Sequence, residues 1–126
     1  MQWSQEQLAT FASAATLTIE PYNADLTTFE EVSPIWEVVV DGRVYSRGWN
    51  GRQTKWYQAA VTQVVGEIKL ADQNLEAEFK PVTDGPLLRT ITAAYQRKYP
   101  GDSSLARMIS AAPTGATIQV LPRSKS

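Results

Sequence analysis

Arg43, Arg47, Arg52 and Lys55 are the first four basic residues of the chain, and they share one stretch with three of its four tryptophans, Trp36, Trp49 and Trp56. Before Arg43 there are seven acids and no base; from Arg43 onward there are twelve bases and six acids. Within Ser33–Ala60, SPIWEVVVDGRVYSRGWNGRQTKWYQAA, positive charge and flat aromatic surface therefore arrive together. Guanidinium groups present planar forks of donors, ammonium groups act as point charges, and indoles supply faces for stacking. That combination suits the holding of an anionic, planar ligand.

The missing residue types exclude much else. The chain has no Cys and no His, so disulfides, thiolate or imidazole metal sites, and Ser–His–Asp or Cys–His catalysis are ruled out. No metal is expected, and no catalytic side chain can be assigned. An enzyme limited to carboxylates, Lys, Tyr and Ser/Thr would draw its chemistry from a bound cofactor. The net charge of −1 argues against a surface for duplex nucleic acid. The start, MQWSQEQLATF, lacks the basic and apolar pattern of a secretory signal, and no apolar run reaches the length of a bilayer span. The expectation is a cytoplasmic protein without membrane contact.

Local patterns set the elements that must position the basic and aromatic residues. Ser4 and Gln7 fit a capping box ahead of a short helix within residues 1–14, near Ser4–Ser13. Thr16–Tyr22 alternates like a half-buried strand, and Asn23–Ser33 reads as an acidic loop. Asp41-Gly42 between Ile35–Val40 and Val44–Gly48 is a hairpin signal, because a type I′ turn needs positive φ at both residues. That register sets Val40 opposite Arg43, Val38 opposite Tyr45 and Trp36 opposite Arg47. Gly48–Thr54 is a glycine-punctuated loop and Lys55–Gln63 a short helix. Val64–Leu70 and Leu75–Pro81 form a second hairpin across Ala71–Asn74. A helix over Pro86–Tyr99, capped by Asp84 or Gly85, carries the apolar stripe Leu87, Leu88, Ile91, Ala94 and Tyr95. Ser103–Ala112 reads as a further short helix, Thr117–Leu121 as the last strand, and residues 122–126 as a flexible tail. About six short strands with three to four short helices predict one antiparallel α+β domain over residues 1–126.

The ordered run Pro34-Ile35-Trp36, Asp41-Gly42, Tyr45-Ser46-Arg47 and Trp56-Tyr57 resembles small bacterial proteins of the flavin-binding split-barrel group. The segments Ala93–Tyr99 and Ala116-Thr117-Ile118 to Pro122-Arg123 extend the likeness over residues 15–123. This group is similar to pyridoxamine phosphate oxidases and deazaflavin-dependent nitroreductases. The resemblance implies a six-stranded antiparallel split β-barrel, a homodimer, and FMN or deazaflavin in a groove. It also implies cofactor contacts from Ser46, Arg47, Lys55 and Arg52 to phosphate, with Trp36, Trp49 or Trp56 bordering the ring. The acidic stretch Asn23–Glu31 stands where such proteins commonly carry basic or Gly-rich residues, and carboxylates near a phosphate would repel it.

Three readings follow. The first is a flavin- or deazaflavin-dependent oxidoreductase. The second, motivated by the acidic stretch, is a cofactor-free module binding a small organic ligand in the same barrel. The third is single-stranded nucleic-acid binding through Trp49, Trp56, Arg47, Arg52 and Lys55. Against all three stand ordinary roles: Arg47, Arg52 and Lys55 paired with the N-terminal acids, Trp36 and Trp56 in the core, and Arg97 and Lys98 as solvated charges beside a core Tyr95. Trp49, flanked by Gly48 and Asn50-Gly51, suits a pocket wall better than a core.

Overall fold

The computed structural model describes residues 2–30 and 32–123. Helix α1 (Gln5–Ser13) starts at the expected capping box: Gln7 N donates to Ser4 Oγ at 3.1 Å and Ser4 N to Gln7 Oε1 at 2.8 Å. Strands β1 (Leu17–Pro21), β2 (Ser33–Ile35), β3 (Glu37–Val40) and β4 (Arg43–Arg47) follow, then a 3-10 turn at Gly51–Gln53 and helix α2 (Lys55–Gln63). The second half comprises β5 (Val65–Leu70), β6 (Gln73–Pro81), α3 (Gly85–Lys98), the single turns α4 (Leu105–Met108) and α5 (Ala111–Thr114), and β7 (Thr117–Pro122).

The strands form one antiparallel sheet in the order β2-β1-β5-β6-β7-β4-β3. Its two outer strands, β2 and β3, are separated in the chain by Trp36 alone. The expected strand Ile35–Val40 is thus the end of one strand running through a seam: residues before Trp36 pair with β1, and residues after it pair with β4. Counted as one strand, β2–β3 makes the barrel six-stranded; counted as two, seven. The sheet closes nearly on itself, which leaves little unpaired backbone at its edges. The protein has the α+β split-barrel fold.

Asp41 and Gly42 both have positive φ, 51° and 76°, and the ladder pairs Val40 with Arg43 and Val38 with Tyr45. The ladder ends at Glu37 and Ser46, so the expected pairing of Trp36 with Arg47 is not made, because Trp36 lies in the seam between two strands. The second hairpin is tighter than expected. Its turn is Ala71-Asp72, so β6 begins at Gln73 rather than Leu75.

Alternation on the strands builds two cores. Leu17, Ile19, Val44, Ile68, Phe79 and Ile118 point into the barrel and are joined there by Phe11 of α1 and Trp56 of α2. Val38, Val40 and Tyr45 point outward and are covered by Ile91, Ala94 and Tyr95 of α3 and by Met108 of α4. Helix α3 starts where Asp84 Oδ2 accepts from Leu87 N at 2.9 Å, with Pro86 in the first turn.

Five short helices replace the three to four expected, because Ser103–Ala112 is not one helix. Ser110 is extended (φ −75°, ψ 172°) between α4 and α5, and Pro113 has no N–H with which a continuous helix could bond Ile109. Of the expected flexible tail 122–126, Pro122 ends β7 and Arg123 N donates to Glu76 O at 3.1 Å, while residues 124–126 lie outside the described residues. Among the described residues no helix is long and apolar enough to cross a membrane.

Val64, which links α2 to β5, adopts φ 70° while its side chain is 43% exposed. A β-branched residue in the left-handed region is strained and gains little burial in return. Replacing Val64 with Gly is expected to raise stability by about 1 kcal/mol, read as a higher urea midpoint; an unchanged or lower midpoint would contradict this account.

Candidate functional site

Five of the seven basic and aromatic residues, Trp36, Arg47, Trp49, Lys55 and Trp56, meet at one cavity of about 640 Å³. Pro34, Ile35 and Trp36 form one wall at the barrel seam. Arg47, at the end of β4, forms a second. Trp49, Asn50, Gln53, Thr54, Lys55 and Trp56 come from the loop after β4 and the start of α2, while Asp102, Ser104 and Met108 come from the approach to α4 and from α4 itself.

The loop packs closely around its glycines. Gly51 sits at φ +62° with Ala112 against its backbone, and a Cβ on Gly48 would come within 2.6 Å of Thr54 Oγ1. These glycines therefore serve the packing of the loop on α5 and on itself, not the approach to a phosphate. The Thr54 hydroxyl accepts from Asn50 N at 2.9 Å and so does not cap α2, which begins without a side-chain cap. Its positive end lies at the cavity edge beside Lys55, which is exposed and makes no ion pair among the described residues.

Arg47 is only 1% exposed. Its Nε donates to Thr117 Oγ1 at 3.0 Å, Nη1 to Met108 O at 3.3 Å and Nη2 to Leu88 O at 3.0 Å, and Cζ lies 5.3 Å from the Tyr95 ring centroid. Among the described residues it has no carboxylate partner. Burial lowers its pKa, yet a guanidinium remains charged at neutral pH. The cavity wall thus carries a positive charge balanced only by dipoles.

Ser46 Oγ donates to Trp36 O at 2.6 Å and also meets the Tyr95 hydroxyl, so Ser46 does not line the cavity. Arg52 also turns away, its Nε donating to Gly115 O at 3.1 Å. Trp56 is a core residue with an edge on the cavity. Trp36 is half-buried and stacked on Tyr99 (3.9 Å between centroids, 3° between planes). Trp49 is 39% exposed, with Arg107 Cζ 4.2 Å from its ring centroid. Arg107 also donates through Nε to Trp49 O at 3.1 Å and through Nη2 to Asn50 Oδ1 at 2.6 Å, tying α4 to the loop that lines the cavity. With Arg47 and Trp56 buried and Arg52 turned to Gly115, the residues of the nucleic-acid reading do not form one stacking surface.

Residues Asn23 to Glu30 line no part of this cavity. Asp25 accepts from Thr27 N, Thr28 N and Thr28 Oγ1, which brings its carboxyl down to about 2. Glu31 lies outside the described residues. The lining carboxylate is Asp102, whose Oδ1 accepts from Ser104 N at 2.8 Å. Asp102, Ser104 and Met108 were not legible as site residues, since they sit about fifty positions downstream and only α4's packing against β4 brings them in. Among the described residues there is no acidic group able to hold a metal.

Lys98 corrects the reading of a solvated charge. Its Nζ meets Glu37 Oε1 at 2.6 Å and also donates to Glu37 O and Phe11 O. Glu37 is fully buried, with no hydrogen-bond partner for Oε2 among the described residues. Burial pushes its carboxyl up to about 7, against the opposing pull of Lys98. The Tyr99 hydroxyl donates to Ala15 O at 2.7 Å, so the same junction holds the ring that backs Trp36.

A family model described as "Uncharacterized protein conserved in bacteria (DUF2255)" matches residues 7–120. Solved structures share the fold at low identity. A conserved hypothetical protein of Mycobacterium tuberculosis is 14% identical with a TM-score of 0.72, covering 98% of this chain and 82% of its own. A Listeria innocua protein named for pyridoxamine 5′-phosphate oxidase is 11% identical with a TM-score of 0.65, covering 94% and 92%. A Bacteroides thetaiotaomicron protein named for 5-nitroimidazole antibiotic resistance is 11% identical with a TM-score of 0.62, covering 94% and 79%. No curated protein matches the chain in sequence.

Two expectations follow from the geometry. Glu37 is raised from 4.5 to about 7 on folding, so the native state holds a proton that the unfolded chain releases between these values. Its contribution to stability is present below 4.5 and is lost as pH rises toward 7. Urea midpoints should fall across that window relative to Glu37→Gln; a difference that climbs with pH would refute the assignment. Arg107→Ala should make Trp49 more accessible to acrylamide quenching while changing stability by no more than about 1 kcal/mol. Unaltered quenching would show that Arg107 does not cover the ring.

Proposed function

The chain belongs to the DUF2255 family of bacterial proteins, and from that premise we propose that its cavity binds FMN or a deazaflavin and that the protein is a flavin-type oxidoreductase. The observation that carries this reading is the meeting of a buried, carboxylate-free Arg47 with Lys55 and tryptophan surface in one cavity of about 640 Å³. That volume lies in the range that takes cofactors of this size. The residues fit the group. The uncapped start of α2 and Lys55 suit a phosphate at the cavity edge, and Trp36 and Trp49 supply flat surface for a ring.

A bound flavin would supply hydride chemistry, which needs no protein nucleophile and so suits a chain without Cys or His. The work left to the protein is to orient the ring, neutralise the phosphate and shield the reacting edge from water. The likeness to split-barrel proteins also supports a homodimer, which sedimentation equilibrium would test; a monomer at micromolar concentration would remove that part.

Titration with FMN should quench flavin fluorescence and perturb its visible bands. Lys55→Ala should weaken FMN about tenfold, as expected for loss of one charge-assisted contact, and leave riboflavin, which has no phosphate, unaffected. Neither quenching nor spectral change with any flavin would overturn the reading. A rise in melting temperature with small aromatic acids but not with flavins would instead favour a cofactor-free ligand-binding module.

A further inference from the structure

We propose that Arg47 serves the ring end of the bound cofactor, not its phosphate, and favours the ring in its reduced, anionic form. The inference rests on the flavin reading above and departs from the phosphate role that the family likeness implies for this position.

Arg47 cannot reach out to a phosphate at the cavity edge. Three of the five guanidinium donors are engaged by Thr117 Oγ1, Met108 O and Leu88 O, which tie it to β7, α4 and α3 at once. Two donors remain for a ligand. The groups around it are a hydroxyl, two carbonyls and the Tyr95 ring. Tyr95 stays protonated, because burial raises its pKa despite the nearby guanidinium. Among the described residues no carboxylate lies within ion-pair distance of it, and the one carboxylate lining the cavity, Asp102, accepts from Ser104 N.

The type of anion that belongs there follows from hydration. A phosphate dianion is compact and strongly hydrated, and stripping its water in a fully buried corner is costly. At the cavity edge, exposed Lys55 can hold it with much of that water in place. Charge spread over a ring system is cheaper to dehydrate, and a weakly hydrated planar guanidinium is its natural counterpart. Delivery of two electrons and one proton to an oxidised isoalloxazine leaves it with one negative charge; in the experiment below the electrons come from dithionite. A fixed positive charge beside the ring stabilises that product and does little for the neutral oxidised ring.

The test is the midpoint potential of FMN bound to the protein, titrated with dithionite against a reference dye at pH 7. Reduced FMN is expected to bind at least about tenfold more tightly than oxidised FMN, a rise of roughly 30 mV over free FMN for a two-electron couple. Arg47→Lys should keep part of the rise. Arg47→Gln should abolish it while preserving the preference for FMN over riboflavin. A bound potential at or below that of free FMN overturns the inference from the wild-type protein alone, even if the variants fail to fold. So does an Arg47→Gln protein that loses the FMN preference but keeps the potential. If no flavin binds in either redox state, the flavin reading itself fails; if flavin binds with an unshifted potential, only the role of Arg47 does.

Discussion

A sheet must dispose of its edges, and here one residue does most of that work. Trp36 lies where the chain passes from pairing with β1 to pairing with β4, so the outer strands of the sheet are neighbours in sequence. Unpaired backbone at a strand edge invites association; a barrel that meets itself leaves little of it. The cost is that Trp36 belongs to neither ladder, and its ring must be held by something else. Tyr99 does so by stacking, and Tyr99 is itself held through its hydroxyl to Ala15. The seam, the end of α3 and the cavity wall are therefore one packing problem.

The period-two alternation of β4 governs what the cavity can contain. Val44 faces the barrel, whereas Tyr45 and Arg47 face α3 and the cavity. Adjacent residues in an extended strand cannot serve one phosphate from the same side. Arg47 therefore lines the cavity without Ser46, whose Oγ is engaged by Trp36 O. Recruits come instead from the loop before α2 and from α4, which packs with the second core over β4.

A half-buried Lys98 and a buried Arg47 are accommodated in opposite ways. Lys98 has a carboxylate, Glu37, and backbone oxygens besides, which makes it a structural pair joining α1, β3 and α3. Arg47 has oxygens of lower charge and a ring, but no carboxylate among the described residues. The Lys98–Glu37 pair balances its own charge without a ligand. A buried charge satisfied only by dipoles leaves an electrostatic field in the adjoining cavity. That distinction separates a fold residue from a site residue more clearly than their types do.

Much of the local structure was legible from residue order alone. Asp41-Gly42 specified its hairpin and register because few residues tolerate two successive positive φ values, and Ser4 with Gln7 specified the start of α1 because each satisfies the other's backbone. The cluster of bases and tryptophans between Ser33 and Ala60 contains the loop and helix start that border the cavity. Tertiary packing alone decided which of those side chains reach it. Arg52 was drawn to Gly115 and Trp56 into the core, while Lys98 found a buried acid sixty-one positions away. Asp102 and Met108 entered the site although nothing near them in sequence marks them. Local patterns fix backbone conformation, which depends on near neighbours. The direction and partner of a long charged side chain depend on what the closed barrel places beside it, and no short window of sequence contains that information.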